Sequence, residues 1–148
     1  MKQRVFSIVA SALVLSLHIF GSLQAAETDA QVTARQVALE LAGAFSNAGF
    51  KIRDGHWSAD IQQDDPKLIE VNLYAGNQYW FSVGATDSAR KLEVKVFDEN
   101  GKQVKSESFS DGARAAAGFE PTASGPYYVQ ISEVEGEPAT FCLLYSYQ

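Results

Sequence analysis

The hydrophobic and polar positions divide the chain into three parts with different periods. Residues 5–21 form a mostly apolar run behind the basic residues Lys2 and Arg4. Residues 29–48 place apolar side chains at spacings of three and four, which is the helical period. Beyond Gly49 the spacing changes to two, which indicates strands. The pattern predicts an apolar leader, one helix and then a β domain.

The leader, residues 1–25, has the three parts of a secretory signal peptide: a positive start, an apolar core and a small residue, Ala25, at the end. We expect its removal on export, which places the protein in the periplasm or outside the cell without a stable membrane anchor. An uncleaved anchor is the alternative. The apolar run is at or just under the roughly 18 residues of a spanning helix, and no charge cluster follows it.

The first segment after the leader predicts an amphipathic helix. Thr28 and Gln31 have the spacing of a capping box, and Gly49 is a natural left-handed C-cap. We therefore place a helix at 29–48. Its predicted apolar stripe consists of Val37, Leu41, Ala44, Phe45 and Ala48. This stripe must pack on an apolar surface, because a lone helix of this length is marginal in water.

The remainder predicts about eight short antiparallel strands, separated by turns. The clearest segments are 67–73, 78–83, 90–97, 102–109, 113–119, 127–131 and 139–147. Asn100-Gly101 is a hairpin-turn pair between two of them. This arrangement is typical of a β-sandwich, here jelly-roll-like, with the helix packed on it. We expect a helical segment at 26–50 and a sandwich domain at 51–148.

Four apolar side chains point away from the predicted core. If their strands are neighbours, they form an apolar outer face on one sheet, and the helix is its natural cover. They are Trp80, Tyr128, Cys142 and Leu144.

Four motifs of the β region follow one another in a characteristic order. VNLYAGNQYWF at 71–81 contains a strand, an Ala-Gly turn and an aromatic strand, and LEVKVFDENG at 92–101 is a strand ending in Asp-x-x-Gly. SGPYYVQI at 124–131 comes after a Phe-Glu-Pro triplet, and FCLLY at 141–145 is a closing strand. From about Gly55 onward the chain resembles the bacterial pre-peptidase C-terminal (PPC) type of β-sandwich domain.

The resemblance implies a non-catalytic role. Such domains are typically appendages of secreted enzymes or small exported proteins, and some relatives bind collagen or carbohydrate and use calcium. Arg90 and Lys91 stand near the position where the family often has an acidic run, which opposes a cation site there. The helix at 29–48 lies outside the resemblance.

Charge and composition narrow the function further. The chain has 12 basic and 18 acidic residues, a net charge of -6, which argues against nucleic-acid binding. Loss of Lys2 and Arg4 with the leader leaves 10 basic residues against 18, a net charge of -8. Cys142 would be the only cysteine and His56 the only histidine. We expect Cys142 to be a buried small hydrophobe, because one cysteine makes no internal disulfide.

Candidate catalytic and metal-ligating residues are few. A nucleophile–histidine pair must use His56, which we expect to be an ordinary loop histidine, and one histidine with one distant cysteine argues against zinc. We therefore expect no catalytic residues, metal site or cofactor. Calcium is the one cation that the acidic segments would suit, although no EF-hand spacing is present. These segments hold Asp60, Asp64 and Asp65, and Glu133, Glu135 and Glu137 in a predicted loop.

Aromatic residues are the best candidates for ligand contact, because exposed rings form a platform for sugars. The candidates are Trp57, Tyr74, Trp80 and Tyr128, with Trp57 in a predicted loop. Packing in the core or under the helix is the alternative for each of them.

These observations predict an exported non-catalytic β-sandwich that binds or supports a protein or glycan of the cell envelope. One alternative is a small extracytoplasmic hydrolase that uses carboxylates or His56. Another is a structural or inhibitor-like protein that binds a partner.

Overall fold

The computed structural model describes residues 26–148, so the predicted signal peptide lies outside the described residues. Within them the protein is mainly β with one helix, as predicted. The elements are α1 Asp29–Ser46, β1 Lys51–Ile52, β2 Trp57–Ile61, β3 Lys67–Leu73, β4 Tyr79–Ala85, β5 Ala89–Phe97, β6 Glu107–Asp111, β7 Arg114–Phe119, β8 Gly125–Gly136 and β9 Ala139–Tyr147.

The strands form two antiparallel sheets that pack face to face as a β-sandwich. The large sheet has the order β1-β9-β4-β7-β6, and β2 also pairs with β9. β1 and β2 lie one after the other along β9, with Ile52 opposite Ser146 and Trp57 opposite Leu143. The small sheet has the order β3-β8-β5.

Alternation with a period of two builds the core between the sheets, because every second side chain of a strand points to the same face. The strands β3, β4, β5 and β8 each turn one such face toward the core. The fully buried side chains include Leu73, Phe81, Val83, Leu92, Val96, Val129, Ile131, Phe141 and Leu143.

The start of α1 is as predicted, and its buried face is not. The Thr28 hydroxyl accepts from the Gln31 N–H at 3.2 Å, and the Gln31 side chain accepts from the Thr28 N–H at 2.9 Å. The helix ends at Ser46 and not at residue 48, and Gly49 has the positive φ of 94° expected of it. Of the predicted stripe, Leu41 is buried, Val37 and Phe45 are half-buried, and Ala44 and Ala48 are exposed.

The helix contacts the sheet through small residues because the backbones approach closely there. The buried face of α1 consists of Ala34, Ala38, Leu41 and Ala42. A Cβ atom added to Gly84 of β4 would lie 2.3 Å from the Ala38 nitrogen. Alanines are weak signals of an apolar stripe, so the sequence pattern instead favours the larger apolar residues on a neighbouring face of the helix.

The predicted cover of the large sheet is confirmed for three of its four residues. Cys142 and Leu144 are buried with the alanines of α1, and Trp80 stacks on Phe45 with ring centroids 4.2 Å apart. The placement of Tyr128 on this face is wrong. Tyr128 belongs to β8 and lies on the outer face of the small sheet, because alternation does not reveal which strands are neighbours.

Two strand predictions also need correction. The strand predicted at 102–109 begins only at Glu107. After the turn at Gly101, the Val104 backbone N–H donates to the Val96 carbonyl at 2.9 Å. The chain then crosses to the large sheet, where it pairs with β7 as β6. β1 and β2 were not predicted, and Trp57 begins β2 and does not lie in a loop.

Candidate ligand pocket

A cavity of about 270 Å³ opens at one end of the sandwich, where the turn between β3 and β4 meets β1 and the end of β9. We call it the tyrosine pocket. Its lining is aromatic and polar and contains no acidic residue: Arg53, Asn72, Tyr74, Asn77, Tyr79, Tyr145 and Tyr147.

Two buried tyrosines form the floor of the tyrosine pocket. Tyr79 and Tyr145 lie on neighbouring strands, are each 3% exposed, and have ring centroids 6.2 Å apart. The Tyr79 hydroxyl accepts from the Tyr74 backbone N–H at 2.9 Å and from the Asn77 side-chain amide at 3.2 Å. These bonds hold the β3–β4 turn against the floor and thereby shape this wall of the pocket.

Two exposed tyrosines form the rim. Tyr74 is 65% exposed and Tyr147 is 37% exposed, while the Tyr147 ring remains 6.5 Å from that of Tyr79. Their position follows from local structure. Tyr74 is carried outward by the turn that contains Gly76, whose φ is 89°, and Tyr147 ends β9.

Among residues 26–148, Arg53 supplies the one formal charge of the pocket lining. Its backbone N–H donates to the Tyr145 carbonyl at 3.0 Å, which continues the pairing of β1 with β9. Its guanidinium carbon lies 5.2 Å from the centroid of the Tyr145 ring, a cation–π arrangement.

The four aromatic residues proposed from the sequence do not come together. Tyr74 alone lines the tyrosine pocket. Trp57 is half-buried and stacks on Tyr145 from the side of the core, with centroids 5.9 Å apart. Trp80 lies under α1, and Tyr128 lies on the small sheet beside Phe97.

The sequence reasoning missed most of the pocket. The strand pattern by itself assigns Tyr79 and Tyr145 to the core, and Tyr147 and the two asparagines belong to no motif. The available signal was the alternation of tyrosines at the end of β9, on the same face as Tyr79. Recognising it required knowing that β4 pairs with β9.

His56 occupies an exposed loop position, as predicted. Its Nε2 atom lies 2.8 Å from a Glu27 carboxylate oxygen, and the same carboxylate pairs with Arg35 at 2.7 Å. Within residues 26–148 His56 makes no hydrogen bond to a serine, threonine or cysteine. Cys142 is buried, as expected, and burial raises the pKa of its thiol.

The acidic segments are arranged differently from the prediction. Asp60 accepts from the Thr140 hydroxyl at 2.8 Å, and Asp65 pairs with Lys67 at 2.6 Å. Glu133 and Glu135 belong to strand β8 and not to a loop. In the described part of the chain, no three histidine, cysteine, aspartate or glutamate residues are grouped so as to hold a metal ion.

Comparisons with known proteins do not assign the chain to a family. No protein-family model matches the chain, and no curated protein matches it at a significant level. The resemblance to the PPC-type domain therefore stays a prediction. Among residues 26–148, no helix has the length and apolar character needed to cross a membrane.

Proposed function

We propose that the protein is an exported, non-catalytic β-sandwich that binds a glycan of the cell envelope in the tyrosine pocket. The observation that carries this proposal is the pairing of two exposed tyrosine rings, on Tyr74 and Tyr147, with amide and guanidinium groups around one concave site.

The chemistry of this lining suits a sugar. The C–H faces of a pyranose ring are apolar and pack on aromatic rings, whereas its hydroxyl groups need hydrogen-bond partners. Asn72, Asn77 and Arg53 offer such partners at the pocket wall. With about 270 Å³, the pocket is near the lower end of ligand sites, so it suits one sugar unit of a longer chain.

The test is a titration followed by amide chemical shifts in NMR, with trisaccharides of N-acetylglucosamine and of galacturonic acid as probes. We expect shifts around the β3–β4 turn and the end of β9. Tyr74→Ala should weaken binding at least tenfold, because it removes the most exposed ring. Tyr128→Ala is the matched control: it removes a tyrosine from the other sheet and should leave binding unchanged.

The proposal fails if neither trisaccharide binds at millimolar concentration. It fails equally if both tyrosine variants bind as the natural protein does. Far-UV circular dichroism of Tyr74→Ala shows whether a loss of binding comes from unfolding, which we do not expect for a side chain so exposed.

The non-catalytic part of the proposal has its own test. Incubation with ester, glycoside and peptide substrates between pH 5 and pH 9 should give no turnover above a buffer blank. Turnover that disappears in His56→Ala would instead support the hydrolase alternative, with the Glu27–His56 pair as its acid–base group.

Binding of a partner protein, in an accessory or inhibitor-like role, is the second candidate function. It is favoured by the outer face of the small sheet, where Leu68 is 60% exposed and lines a shallow depression with Phe97 and Tyr128. Leu68→Lys should then remove a cross-linked complex from cell-envelope preparations. Val32→Lys, at an exposed apolar position of α1, should leave that complex intact.

A further inference from the structure

The tyrosine pocket differs from the rest of the protein in its charge. Residues 26–148 contain 18 acidic and 10 basic residues, yet the pocket lining has no carboxylate and one guanidinium, that of Arg53. A neutral ligand needs no such charge, and a cationic ligand would be repelled by it.

The guanidinium of Arg53 makes an aromatic contact but, within the described residues, no ion pair. The guanidinium carbon lies over the Tyr145 ring, 5.2 Å from its centroid, and this cation–π contact uses none of the five N–H donors of the group. Among residues 26–148, no carboxylate lies within ion-pair distance of Arg53, and its guanidinium donates no hydrogen bond. Arg35 and Arg114, by contrast, are paired with Glu27 and Asp111.

From this geometry, and resting on the proposed function, we infer that the glycan carries a carboxylate and that Arg53 binds it. The fork of a guanidinium matches the two oxygens of a carboxylate, and the paired hydrogen bonds are shorter and stronger than neutral ones. A hexuronic acid places a carboxylate at the edge of a pyranose ring. Its ring would pack on the rim tyrosines while its carboxylate faces the N–H donors of Arg53.

A matched pair of probes distinguishes the contribution of the carboxylate to binding from that of the sugar rings. The probes are galacturonic acid trisaccharide and its methyl ester, which has the same rings without the charge. We expect the acid to bind at least tenfold more tightly than the ester at low salt. The difference should shrink as the salt concentration rises, because screening weakens an exposed ion pair.

Variants test whether Arg53 causes the difference in affinity between the acid and the ester. Arg53→Gln should bind the acid and the ester equally, and Arg53→Lys should recover part of the preference, because it keeps the charge and loses the fork. Arg90→Gln removes a positive charge from an exposed position outside the pocket lining and should change neither affinity. Tyrosine ring signals in NMR show that the pocket is intact in each variant.

Each result supports or overturns the inference. Equal binding of acid and ester by the natural protein, with Tyr74 still required, overturns the inference and leaves the proposed function standing. Failure of both galacturonic acid probes, while the N-acetylglucosamine trisaccharide binds, overturns the inference alone, and failure of all three probes overturns the proposed function as well. Equally tight binding of N-acetylalanine, a carboxylate without a sugar, overturns the sugar part of the inference. An acid preference that is lost in Arg53→Gln supports it.

Discussion

Glu133 is the one formally charged side chain that residues 26–148 bury, and it lies opposite Leu92 at the end of the core. It is 5% exposed, and neither carboxylate oxygen has a hydrogen-bond partner. Gly136, the last residue of β8, lies so close to this side chain that an added Cβ would be 2.4 Å from its Oε1. Burial, and then repulsion by Glu137, raise the pKa of Glu133 above its ordinary value of 4.5.

The raised pKa makes stability depend on pH in a definite direction. Near pH 4 the carboxyl is largely protonated in the folded and unfolded protein, so its ionisation costs little. As the pH rises through 4.5 and on through the raised pKa, the unfolded chain ionises first, and the free energy of unfolding falls. Glu133→Gln should remove this fall and stabilise the protein at pH 7 by about 1 kcal/mol.

Urea denaturation of the natural protein and Glu133→Gln at pH 4 and pH 7 measures this effect. The variant should gain more at pH 7 than at pH 4. Glu135→Gln is the control, since it removes an equal charge from an exposed position of the same strand and should change stability by less than about 0.5 kcal/mol. If Glu133→Gln raises the free energy of unfolding equally at pH 4 and pH 7, ionisation of Glu133 does not cause the effect.

At the scale of elements, the contact between α1 and the large sheet is unusually close and partly polar. Ala34, Ala38 and Ala42 pack on Gly84, Cys142 and Leu144. The Ser82 and Ser146 hydroxyls are also buried on the large sheet and have no hydrogen-bond partner. Close packing stabilises this contact, while unpartnered hydroxyls oppose it by about 1–3 kcal/mol each.

Gly84→Ala should therefore loosen the helix. The new methyl group would overlap the backbone of α1, and overpacking of this kind costs about 1–3 kcal/mol. Thermal denaturation measures the loss of stability. The rate at which Cys142 reacts with a thiol reagent in native buffer measures the opening of α1, because this buried thiol lies beneath the helix.

Gly43→Ala is the matched control for that substitution. Gly43 lies on the exposed side of α1, and nothing stands within 4 Å of an added Cβ. This variant should stabilise the protein by about 0.5–1 kcal/mol, because alanine is the better helix former. If both glycine variants change stability and Cys142 labelling alike, close approach at Gly84 is not the cause.

At the scale of the whole molecule, β9 holds the large sheet together. It pairs with β4 along one side and with β1 and β2 along the other, so both sides of its middle are hydrogen-bonded. Among residues 26–148, β6 pairs with β7 alone and forms an edge of the sheet, and all five of its residues are exposed. We therefore expect strong protection of backbone amides in β9 and weak protection in β6.

Hydrogen exchange should show this difference. We expect amides of β9 around Leu143 to exchange only on global unfolding, and those of Glu107–Asp111 to exchange about 100-fold faster or more, by local opening. Exchange measured by mass spectrometry on peptides from the two strands tests this. Equal protection of both strands would contradict the prediction.

Much of the fold could be predicted because its causes are local. The capping box at Thr28 and the inward faces of β3, β4 and β5 depend on residues a few positions apart. The short strands β1 and β2 could not be predicted, because their pairing with β9 comes from tertiary contact and not from their own pattern. Tertiary contact also decides the position of Tyr128. The alternation of its strand shows that it points away from the core, but not which sheet the strand belongs to.

The sequence by itself determined the class of the molecule: one capped helix, followed by antiparallel strands with a core of alternating side chains, and a composition with two histidines and one cysteine. These properties follow from periodicity and residue chemistry, which act over short distances along the chain. The tertiary structure decided which strands are neighbours. This pairing places Trp80 under α1 and Tyr128 on the other sheet. It also brings Arg53 close to Tyr145 and Tyr74. The physical reason is that residues distant in sequence meet only when β1, β4 and β9 pair.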